Sequence, residues 1–191
     1  MSHAIDLLGD PAFHAFLLEV DRDLAARTRA ARCQACGGPL DAGHYQRKPR
    51  GGPEGLGDEH AQRFDFCCRV EGCRKRHLPP SMRFLGRRVY LGAVVLLVSA
   101  MQRGASPDHL RELLGVSGRT LGRWRQWWQA TFPATSFWTT ARGFFVTPVT
   151  EHHLPLSLLE RFPGGLRARA VAALRFLLPI TSAGPGCDGA S

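Results

Sequence analysis

Apolar side chains recur at helical spacing in the first thirty residues of the chain. Asp10 is placed to cap a helix there, because its carboxylate accepts hydrogen bonds from backbone N–H groups at a helix start, and Pro11 suits the first helical position. One face of this predicted helix is apolar and has to be buried. The face consists of Phe13, Phe16, Leu17, Val20 and Leu24.

Two further regions have patterns of their own. Between residue 33 and about residue 80, glycine, proline and short alternating stretches predict strands and turns. From about residue 86 to residue 131 the pattern is helical and contains the apolar run VYLGAVVLLVSAM. This run is well short of the ~20 residues that span a bilayer. We therefore predict a buried helix and no membrane partner.

Prolines divide the sequence after residue 131 into short pieces, and a last amphipathic helix is predicted for LRARAVAALRFLL. Within these pieces, the aromatic segment FWTTARGFF could be a stacking platform for single-stranded nucleic acid. Clusters of this kind are more often core or a contact with another subunit. The glycine-rich tail, residues 181–191, is expected to be disordered.

Five of the six cysteines lie in the region that begins at residue 33. The stretch CQACGG separates Cys33 from Cys36 by two residues, which is the spacing of a zinc knuckle. The two glycines that follow let the chain turn back and direct backbone N–H groups at the sulfurs. These two cysteines therefore form half of a predicted zinc site.

The other half of the site comes from the stretch RFDFCCRVEGC. Side chains alternate along a strand, so Cys68 shares a face with Phe64 and Phe66, whereas Cys67 lies on the opposite face. We therefore predict a closed site with four thiolates, in which the zinc is structural because no position is left for water. The predicted ligands are Cys33, Cys36, Cys68 and Cys73.

Two alternatives for this site remain open: Cys67 could replace Cys68, and His77 could replace one thiolate. A structural zinc would also stabilise a region that has few large apolar residues, because so small a unit rarely folds without a cross-link. Basic side chains flank the ligands and would give the unit a positive surface. They are Arg47, Lys48, Arg50, Arg63, Arg69, Arg74, Lys75 and Arg76.

The stretch SPDHLRELLGVSGRTLGRWRQWW has the pattern of a helix-turn-helix. Ser106 caps a predicted first helix, Gly115 ends it, and Ser117 caps the second. The apolar face of the first helix consists of Leu110, Leu113 and Leu114. The apolar helix before this stretch, predicted from residue 88 to residue 103, completes a trihelical unit.

On the second helix, two faces have different compositions. Leu121, Trp124 and Trp128 share one face and are predicted to be buried. The opposite face is basic and is predicted to contact double-stranded DNA. The predicted DNA-binding residues are Ser117, Arg119, Thr120, Arg123, Arg125 and Gln126. A plain three-helix packing unit with a solvated basic face is the alternative.

Composition is consistent with a nucleic-acid partner. The formal net charge is +9, and arginine, which contacts phosphates and guanines in a fork geometry, dominates the basic side chains. GC-rich codons also favour arginine, so charge alone assigns no function. The N-terminus lacks the pattern of an export signal, and we expect a cytoplasmic protein. In that compartment clustered cysteines are more often metal ligands than disulfides.

The order of these parts resembles the N-terminal DNA-binding portions of bacterial insertion-sequence transposases and of small proteins encoded with such elements. The resemblance covers roughly residues 30 to 131. It implies that the zinc ribbon and the helix-turn-helix, including Arg119, Thr120 and Arg123, bind the terminal DNA of the element. Transposases also need three metal-binding carboxylates. After residue 131 this chain has only Glu151, Glu160 and Asp188.

We therefore predict a protein that is mainly α-helical, with a small zinc-ribbon-like β unit and a trihelical helix-turn-helix. It would bind DNA as an accessory to a mobile element and would not be an enzyme. The alternatives are a zinc-dependent adaptor that binds a transposase or another protein, and an RNA-binding ribbon protein. The predicted segments are an N-terminal amphipathic helix (1–32), the zinc-ribbon-like unit (33–80), the helix-turn-helix (81–131), a helical C-terminal region (132–180) and the disordered tail (181–191).

Overall fold

The computed structural model describes residues 2–86, 88–102, 108–109, 112 and 115–182. In these residues the chain is mainly helical, with a small antiparallel sheet. The chain forms two compact units that alternate along the sequence. The helical unit comprises the described parts of Met1–Gly9 and Gly92–Phe176. The cysteine unit comprises those of Asp10–Leu91 and Leu177–Ser191. The division of the chain into the five segments given above remains a prediction from the sequence.

The cysteine unit begins with a long helix, α2 (Pro11–Ala30), which follows the short helix α1 (Ser2–Gly9) of the helical unit. The predicted cap is confirmed, since the Asp10 side chain accepts a hydrogen bond from the Ala12 N–H at 2.9 Å. The predicted buried face is partly wrong. The residues of α2 that are buried are Phe13, His14, Leu17, Leu18, Asp21 and Ala25.

The strands of the cysteine unit are short and antiparallel. They are β1 (Leu40–Ala42), β2 (Tyr45–Gln46), β3 (Gln62–Arg63), β4 (Phe66–Cys68) and β5 (Arg76–His77). β4 is the centre of a three-stranded sheet with β1 and β5, while β2 pairs with β3. In the register of the larger sheet, Leu40 is opposite Cys68, and Phe66 is opposite His77.

The apolar core of this unit lies between α2 and the sheet. Leu18 and Ala25 of the helix pack with buried side chains of the strands and loops. Those side chains are Cys33, Leu40, Phe64, Phe66 and Cys68. Two of the core members are thiol-bearing residues, so the core and the cysteine cluster form one structure.

A buried ionic network accounts for the altered face of α2. Asp21 is 0% exposed and accepts hydrogen bonds from Arg83 Nε at 2.9 Å, from the Met82 N–H at 2.6 Å and from the Ser81 hydroxyl. The Arg83 guanidinium also donates to the His60 carbonyl at 2.7 Å. Because each charge has partners, an aspartate occupies a position that the hydrophobic pattern assigned to the surface.

The structure also corrects the prediction for Arg63. Its expected place on the positive surface is wrong, because the residue is 1% exposed and one guanidinium nitrogen donates to the Pro79 carbonyl at 2.7 Å. The start of the predicted tail is corrected as well. Thr181 belongs to a 3₁₀ turn (Leu178–Thr181), is buried, and accepts a hydrogen bond from the Ser81 N–H at 2.9 Å. The rest of the tail, from residue 183, lies outside the described residues.

The helical unit is built around α3 (Gly92–Met101), the apolar helix that the sequence predicts. Every residue of α3 except Ala100 is buried. Other helices of the unit pack around it. Besides α1, the described helices of the unit are α4 (Gly118–Gln126), α5 (Ser136–Ala141), α6 (Leu156–Leu159) and α7 (Leu166–Phe176). Of these, α1, α4, α6 and α7 contact α3.

Aromatic side chains form the second part of this core. A π-helical turn (Trp127–Thr131) continues α4, and the Phe132 ring that follows lies 5.1 Å from Trp128 and 5.0 Å from Trp138. All three rings are 0% exposed. The FWTTARGFF segment is therefore core at Trp138, but Phe144 is 82% exposed.

Of the first helix of the predicted helix-turn-helix, residues 108, 109 and 112 are described and are helical, whereas Ser106, Leu110, Leu113 and Leu114 lie outside the described residues. After it, Gly115 has a φ of 62°, a conformation that favours glycine and is common at helix ends. Val116 is fully buried, and α4 begins directly after Ser117. Among the described residues, no helix is both long and apolar enough to cross a membrane.

Candidate functional site

The first cysteine pair lies in the loop that follows α2. The loop is closed by two hydrogen bonds, from the Cys33 N–H to the Gly38 carbonyl at 2.9 Å and from the Gly37 N–H to the Cys33 carbonyl at 2.7 Å. Gly37 has a φ of 71°. A Cβ atom at Gly38 would lie 3.2 Å from the sulfurs of both Cys36 and Cys68. Both glycines are therefore needed for this loop to approach the second cysteine pair.

The second pair is placed by β4 and the turn after it. Cys68 is the last residue of β4, and its N–H donates to the Lys75 carbonyl at 2.9 Å. The turn is closed by a hydrogen bond from the Cys73 N–H to the Val70 carbonyl at 3.1 Å, and Gly72 has a φ of 85°. The two loops thus bring thiols that are far apart in sequence to one point.

The sulfurs of Cys33, Cys36, Cys68 and Cys73 all lie within 4.8 Å of one another. The Cys33 and Cys73 sulfurs are 3.7 Å apart, and those of Cys36 and Cys68 are 3.5 Å apart. Cys33 and Cys68 are buried, whereas Cys36 is exposed. These four residues are close enough together to hold a metal ion.

The two alternative ligands considered from the sequence, Cys67 and His77, lie outside this group of four sulfurs. The Cys67 thiol lies on the other face of β4 and is 3.3 Å from the Arg74 carbonyl. His77 lies beside the group, with its Nε2 atom 3.3 Å from the Cys33 sulfur. Neither residue belongs to the set of sulfurs that converge. His77 is instead within hydrogen-bond distance of the Cys33 sulfur.

The thiols of the group differ in acidity. Burial opposes ionisation of Cys33, but hydrogen bonds from the backbone at Ala35 and Cys36 and from His77 outweigh it and lower its pKa to about 6. Burial raises the pKa of Cys68 to about 12. Without a cation, the Cys33 thiol is thus more acidic than the Cys68 thiol. A metal ion would favour the thiolate form of the others as well.

The second candidate region is α4. Its start is fixed by Ser117, whose hydroxyl accepts a hydrogen bond from the Thr120 N–H at 3.3 Å and lies 3.0 Å from the Thr120 hydroxyl. The predicted buried face is confirmed, with Leu121 2% exposed, Trp124 4% exposed and Trp128 fully buried. The helix is therefore held in one orientation by its apolar side.

The opposite face of α4 carries the exposed arginines. Arg119, Arg123, Arg125 and Gln126 are all exposed, and Thr120 is half-buried with its hydroxyl beside Ser117. In the described part of the chain, neither Arg119 nor Arg123 forms an ion pair. Arg125 differs, since its Nε atom donates to Gln102 Oε1 at 3.3 Å. Two unpaired guanidinium groups are thus available to an external anion.

The sequence analysis did not identify a group of polar residues beneath this helix. Ser99 and Gln102 lie at the end of α3 and line a cavity of about 270 Å³ together with Arg125. Ser99 follows a run of apolar residues in a helix that is buried on all sides, so no periodic pattern distinguishes it.

We compared the chain with protein-family models, with curated proteins and with solved structures, and none of them matches. Function must therefore be argued from the chemistry of the two candidate regions, which are the cysteine group and the exposed face of α4.

Proposed function

We propose that this chain is a zinc-stabilised DNA-binding protein of the cytoplasm that acts by binding rather than by catalysis, as an accessory to a mobile element. The observation that carries the proposal is the exposed face of α4, where Arg119 and Arg123 are one turn apart and unpaired in the described part of the chain. The trihelical helix-turn-helix, with α4 as its second helix, belongs to this proposal.

Zinc is the metal that best fits the cysteine group. In a tetrahedral site with zinc–sulfur bonds of about 2.3 Å, neighbouring sulfurs are about 3.8 Å apart. The sulfur separations of 3.5 and 3.7 Å already approach this value. Four thiolates would fill the coordination sphere, so the ion would be structural. The Gly38 approach and the His77 contact would then orient the ligands around it.

Metal analysis of protein purified without added metal tests this part. We expect about one equivalent of zinc per folded chain, because structural zinc sites bind strongly enough to supply folding free energy. Four thiolates also suit iron, so iron is measured in the same sample. A folded protein that holds neither metal, or holds iron at one equivalent, would contradict the zinc assignment.

DNA binding rests on the geometry of α4. The helix is capped at Ser117, follows a glycine turn, and is packed on one side by Leu121 and Trp124. Residues near the N-terminal half of such a helix meet base edges in the major groove. Arginine forks suit the O6 and N7 atoms of guanine, and the net charge of +9 favours approach to a polyanion.

Selection of binding sequences from a random duplex pool, with the full-length protein, tests DNA binding. Replacing a base-reading arginine should cost about 1 to 3 kcal/mol and relax the preference at one position of the site. We therefore expect Arg119→Ala and Arg123→Ala to weaken binding in this way. Arg175→Ala, an exposed arginine of α7, is the matched control in the same unit.

Two outcomes would overturn the assignment of α4. One is that the intact protein has no salt-dependent affinity for any duplex, since phosphate contacts make such affinity fall with salt. The other is that the Arg175→Ala control weakens binding as much as the two α4 variants. A preference for RNA over DNA duplexes in competition would favour the RNA-binding alternative.

An adaptor function is the second candidate, because one observation favours it. Phe144 is 82% exposed and Val146 is fully exposed, in a loop of the helical unit. Apolar side chains presented in this way suit a protein partner, for instance a transposase. If the protein does not bind DNA, the adaptor function would be supported by co-purification of the wild-type protein, but not of Phe144→Ser, with a transposase.

A further inference from the structure

The cysteine unit contains a cavity beside the loop that follows β2. Its volume is about 360 Å³, within the range of small-molecule sites. The loop is rich in glycine, and most of the lining comes from its residues between 47 and 61. The rest of the lining comes from His14, Arg83 and Leu91. The cationic side chains of the lining are Arg47, Lys48 and Arg83, and its carboxylate is Asp58.

Three guanidinium groups, two of which line the cavity, surround one aromatic ring. The Cζ atoms of Arg47, Arg63 and Arg83 are 5.1, 5.9 and 5.0 Å from the centre of the Phe84 ring. Arg63 and Arg83 are buried, and Arg47 is half-buried. Positive charges that are close together and away from water repel one another, so buried charges in proteins normally have counter-charges. These three groups, the arginine cluster, therefore need anions nearby.

The carboxylates of the unit balance only part of this charge. Among the described residues, its buried carboxylates are Asp21 and Asp65. Asp65 pairs with Arg76, and Asp21 pairs with Arg83, so Asp21 is the buried counter-charge of the arginine cluster. Three positive charges against one negative charge leave an excess of two. Further carboxylates of the loop are exposed, and solvent screens their charge. They are Glu54, Asp58 and Glu59.

Backbone carbonyls satisfy hydrogen bonds of the arginine cluster without cancelling its charge. Arg47 donates to the carbonyls of Gly86 and Arg88 at 2.9 and 3.1 Å. Arg63 donates to the Pro79 carbonyl at 2.7 Å. A carbonyl is an acceptor but carries no net charge. The excess positive charge therefore remains, and it extends to the cavity through Arg47 and Arg83.

The loop offers backbone donors to a ligand. Gly51, Gly52 and Gly55 line the cavity, and their N–H groups donate no hydrogen bond within the described residues. Gly51 and Gly55 have φ values of 83° and 78°, a conformation that favours glycine. Successive N–H groups in loops of this kind bind anions, phosphates above all. The loop therefore suits an oxyanion better than a cation.

Two side chains of the lining can contact a ligand directly. Lys48 is exposed and forms no ion pair in the described part of the chain. Arg47 Nε donates no hydrogen bond there and, unlike Arg63 Nη1, is not among the buried atoms that lack a partner. Arg83 is bonded to protein groups and acts through its charge. Burial lowers the pKa of His60, so its imidazole adds no charge at pH 7.

We infer that this cavity binds a small molecule through a phosphate monoester group. A phosphate monoester carries nearly two negative charges at pH 7, which matches the excess of the arginine cluster, whereas a carboxylate would cancel only one charge. Lys48, Arg47 and the loop N–H groups would contact its oxygens, and the rest of the ligand would lie against Leu56 and Leu91. The inference concerns the cysteine unit alone and does not depend on whether α4 contacts DNA.

The amide signals of Gly51, Gly52 and Gly55 in the ¹⁵N-labelled full-length protein provide the test. Ribose 5-phosphate and adenosine monophosphate are titrated at constant ionic strength, with ribose and adenosine as neutral controls of the same shape. Inorganic phosphate and a DNA duplex are titrated in separate samples. We expect these signals to shift and saturate with at least one monoester and with neither neutral compound.

Lys48→Gln should weaken that binding about tenfold or more, because it removes a charge-assisted hydrogen bond to the phosphate. Lys75→Gln is the matched control, since it changes the other lysine of the chain, which is exposed in the same unit and does not line the cavity. We expect it to leave the affinity unchanged. Both variants change exposed side chains, so both should fold.

Several outcomes would overturn the inference. One is that neither monoester gives a saturable shift, and another is that the neutral compounds bind as well as the monoesters. Equal weakening by Lys75→Gln and Lys48→Gln would mean that the affinity reflects net charge and not this cavity. Saturation by inorganic phosphate with neither monoester would show a site for the free ion. Shifts with the duplex and with neither monoester would show that the loop contacts the DNA backbone instead.

Discussion

The two units of this protein have cores of opposite character. Within the described residues, the buried polar side chains of the helical unit are the serines of α3 and α6, whereas the cysteine unit buries charged residues. Those charged residues are Asp21, Arg63, Asp65 and Arg83. The helical unit is packed instead by aliphatic side chains and by the rings around Phe132.

The difference shows two ways of stabilising a small unit. Apolar packing in the helical unit is collective, and each contact contributes little by itself. The cysteine unit has a small apolar core, so it depends on a few directional interactions, namely the thiol group and the Asp21 network. Loss of one such interaction should therefore disrupt the whole cysteine unit, whereas losses in the helical unit should be graded.

The largest effect is expected from Cys68→Ser. With zinc bound as proposed, this change removes a ligand of an ion whose binding contributes about 10 to 16 kcal/mol in small zinc domains. Hydrogen exchange in the cysteine unit should then become rapid, while the tryptophan fluorescence of the helical unit, which holds all four tryptophans, stays native. Cys67→Ser is the control, because its thiol lies outside the group. If the two variants behave alike, the face assignment of β4 is wrong.

The next effect is expected from Asp21→Asn. The change leaves the Arg83 guanidinium, which is 2% exposed, without a counter-charge, and breaking a buried pair costs about 3 to 5 kcal/mol. The measurement is the free energy of unfolding of the cysteine unit in urea, followed by hydrogen exchange. Asp23→Asn, an exposed change on the same helix, should be nearly neutral. A loss below about 1 kcal/mol for Asp21→Asn would show that the network is dispensable.

In the helical unit, Phe132→Ala should lower the free energy of unfolding, but the unit should still fold. The ring is 0% exposed and contacts Trp128 and Trp138, and truncation of a buried aromatic side chain costs about 3 to 5 kcal/mol. Urea unfolding followed by tryptophan fluorescence measures this loss of free energy. Phe144→Ala, at an exposed ring, should change the free energy of unfolding by less than about 0.5 kcal/mol. Equal losses in the two variants would mean that Phe144 is buried in solution.

The smallest effect concerns Glu151, which accepts hydrogen bonds at 2.8 Å from the Trp138 indole and from Arg142. These bonds lower its pKa, so the carboxylate stabilises the folded state above its ordinary pKa of about 4.3, and the contribution is lost as pH falls through the lowered value. Because Glu151 and Arg142 are partly exposed, Glu151→Gln should cost less than about 1 kcal/mol at pH 7.

The difference between wild type and Glu151→Gln should shrink as the pH falls below about 4. Tryptophan fluorescence in urea follows the helical unit through this range. Glu160→Gln, at an exposed position of the same unit, controls for the general loss of negative charge. A penalty that grows as the pH falls would contradict the sign of the shift.

The sequence predicted those features that depend on local pattern. Asp10 as a cap, α3 as a buried helix, and the buried face of α4 are all confirmed, because capping and amphipathic periodicity act over a few residues. Alternation along β4 also placed Cys68 inside the group and Cys67 outside it, since the strand continued as far as the turn.

Features that depend on distant partners could not be predicted in this way. Asp21 is buried because Arg83, 62 residues later, neutralises it, and no pattern in α2 indicates that partner. Arg63 is buried where one of its guanidinium nitrogens donates to the Pro79 and Thr181 carbonyls, which are distant in the sequence. The Ser99 cavity was missed for a related reason, since Arg125, Trp128, Gln129 and Leu154 of its lining come from distant parts of the sequence.

The alternation of the units along the sequence has a consequence for synthesis on the ribosome. The Ser81 N–H donates to the Thr181 hydroxyl, which lies 100 residues further along the chain and is therefore synthesised later. At about 5 to 20 residues per second, Thr181 is synthesised about 5 to 20 s after Ser81, and the contact forms no earlier than that. The helical unit likewise includes the first helix of the chain. No continuous fragment of the sequence therefore contains one whole unit without also containing much of the other.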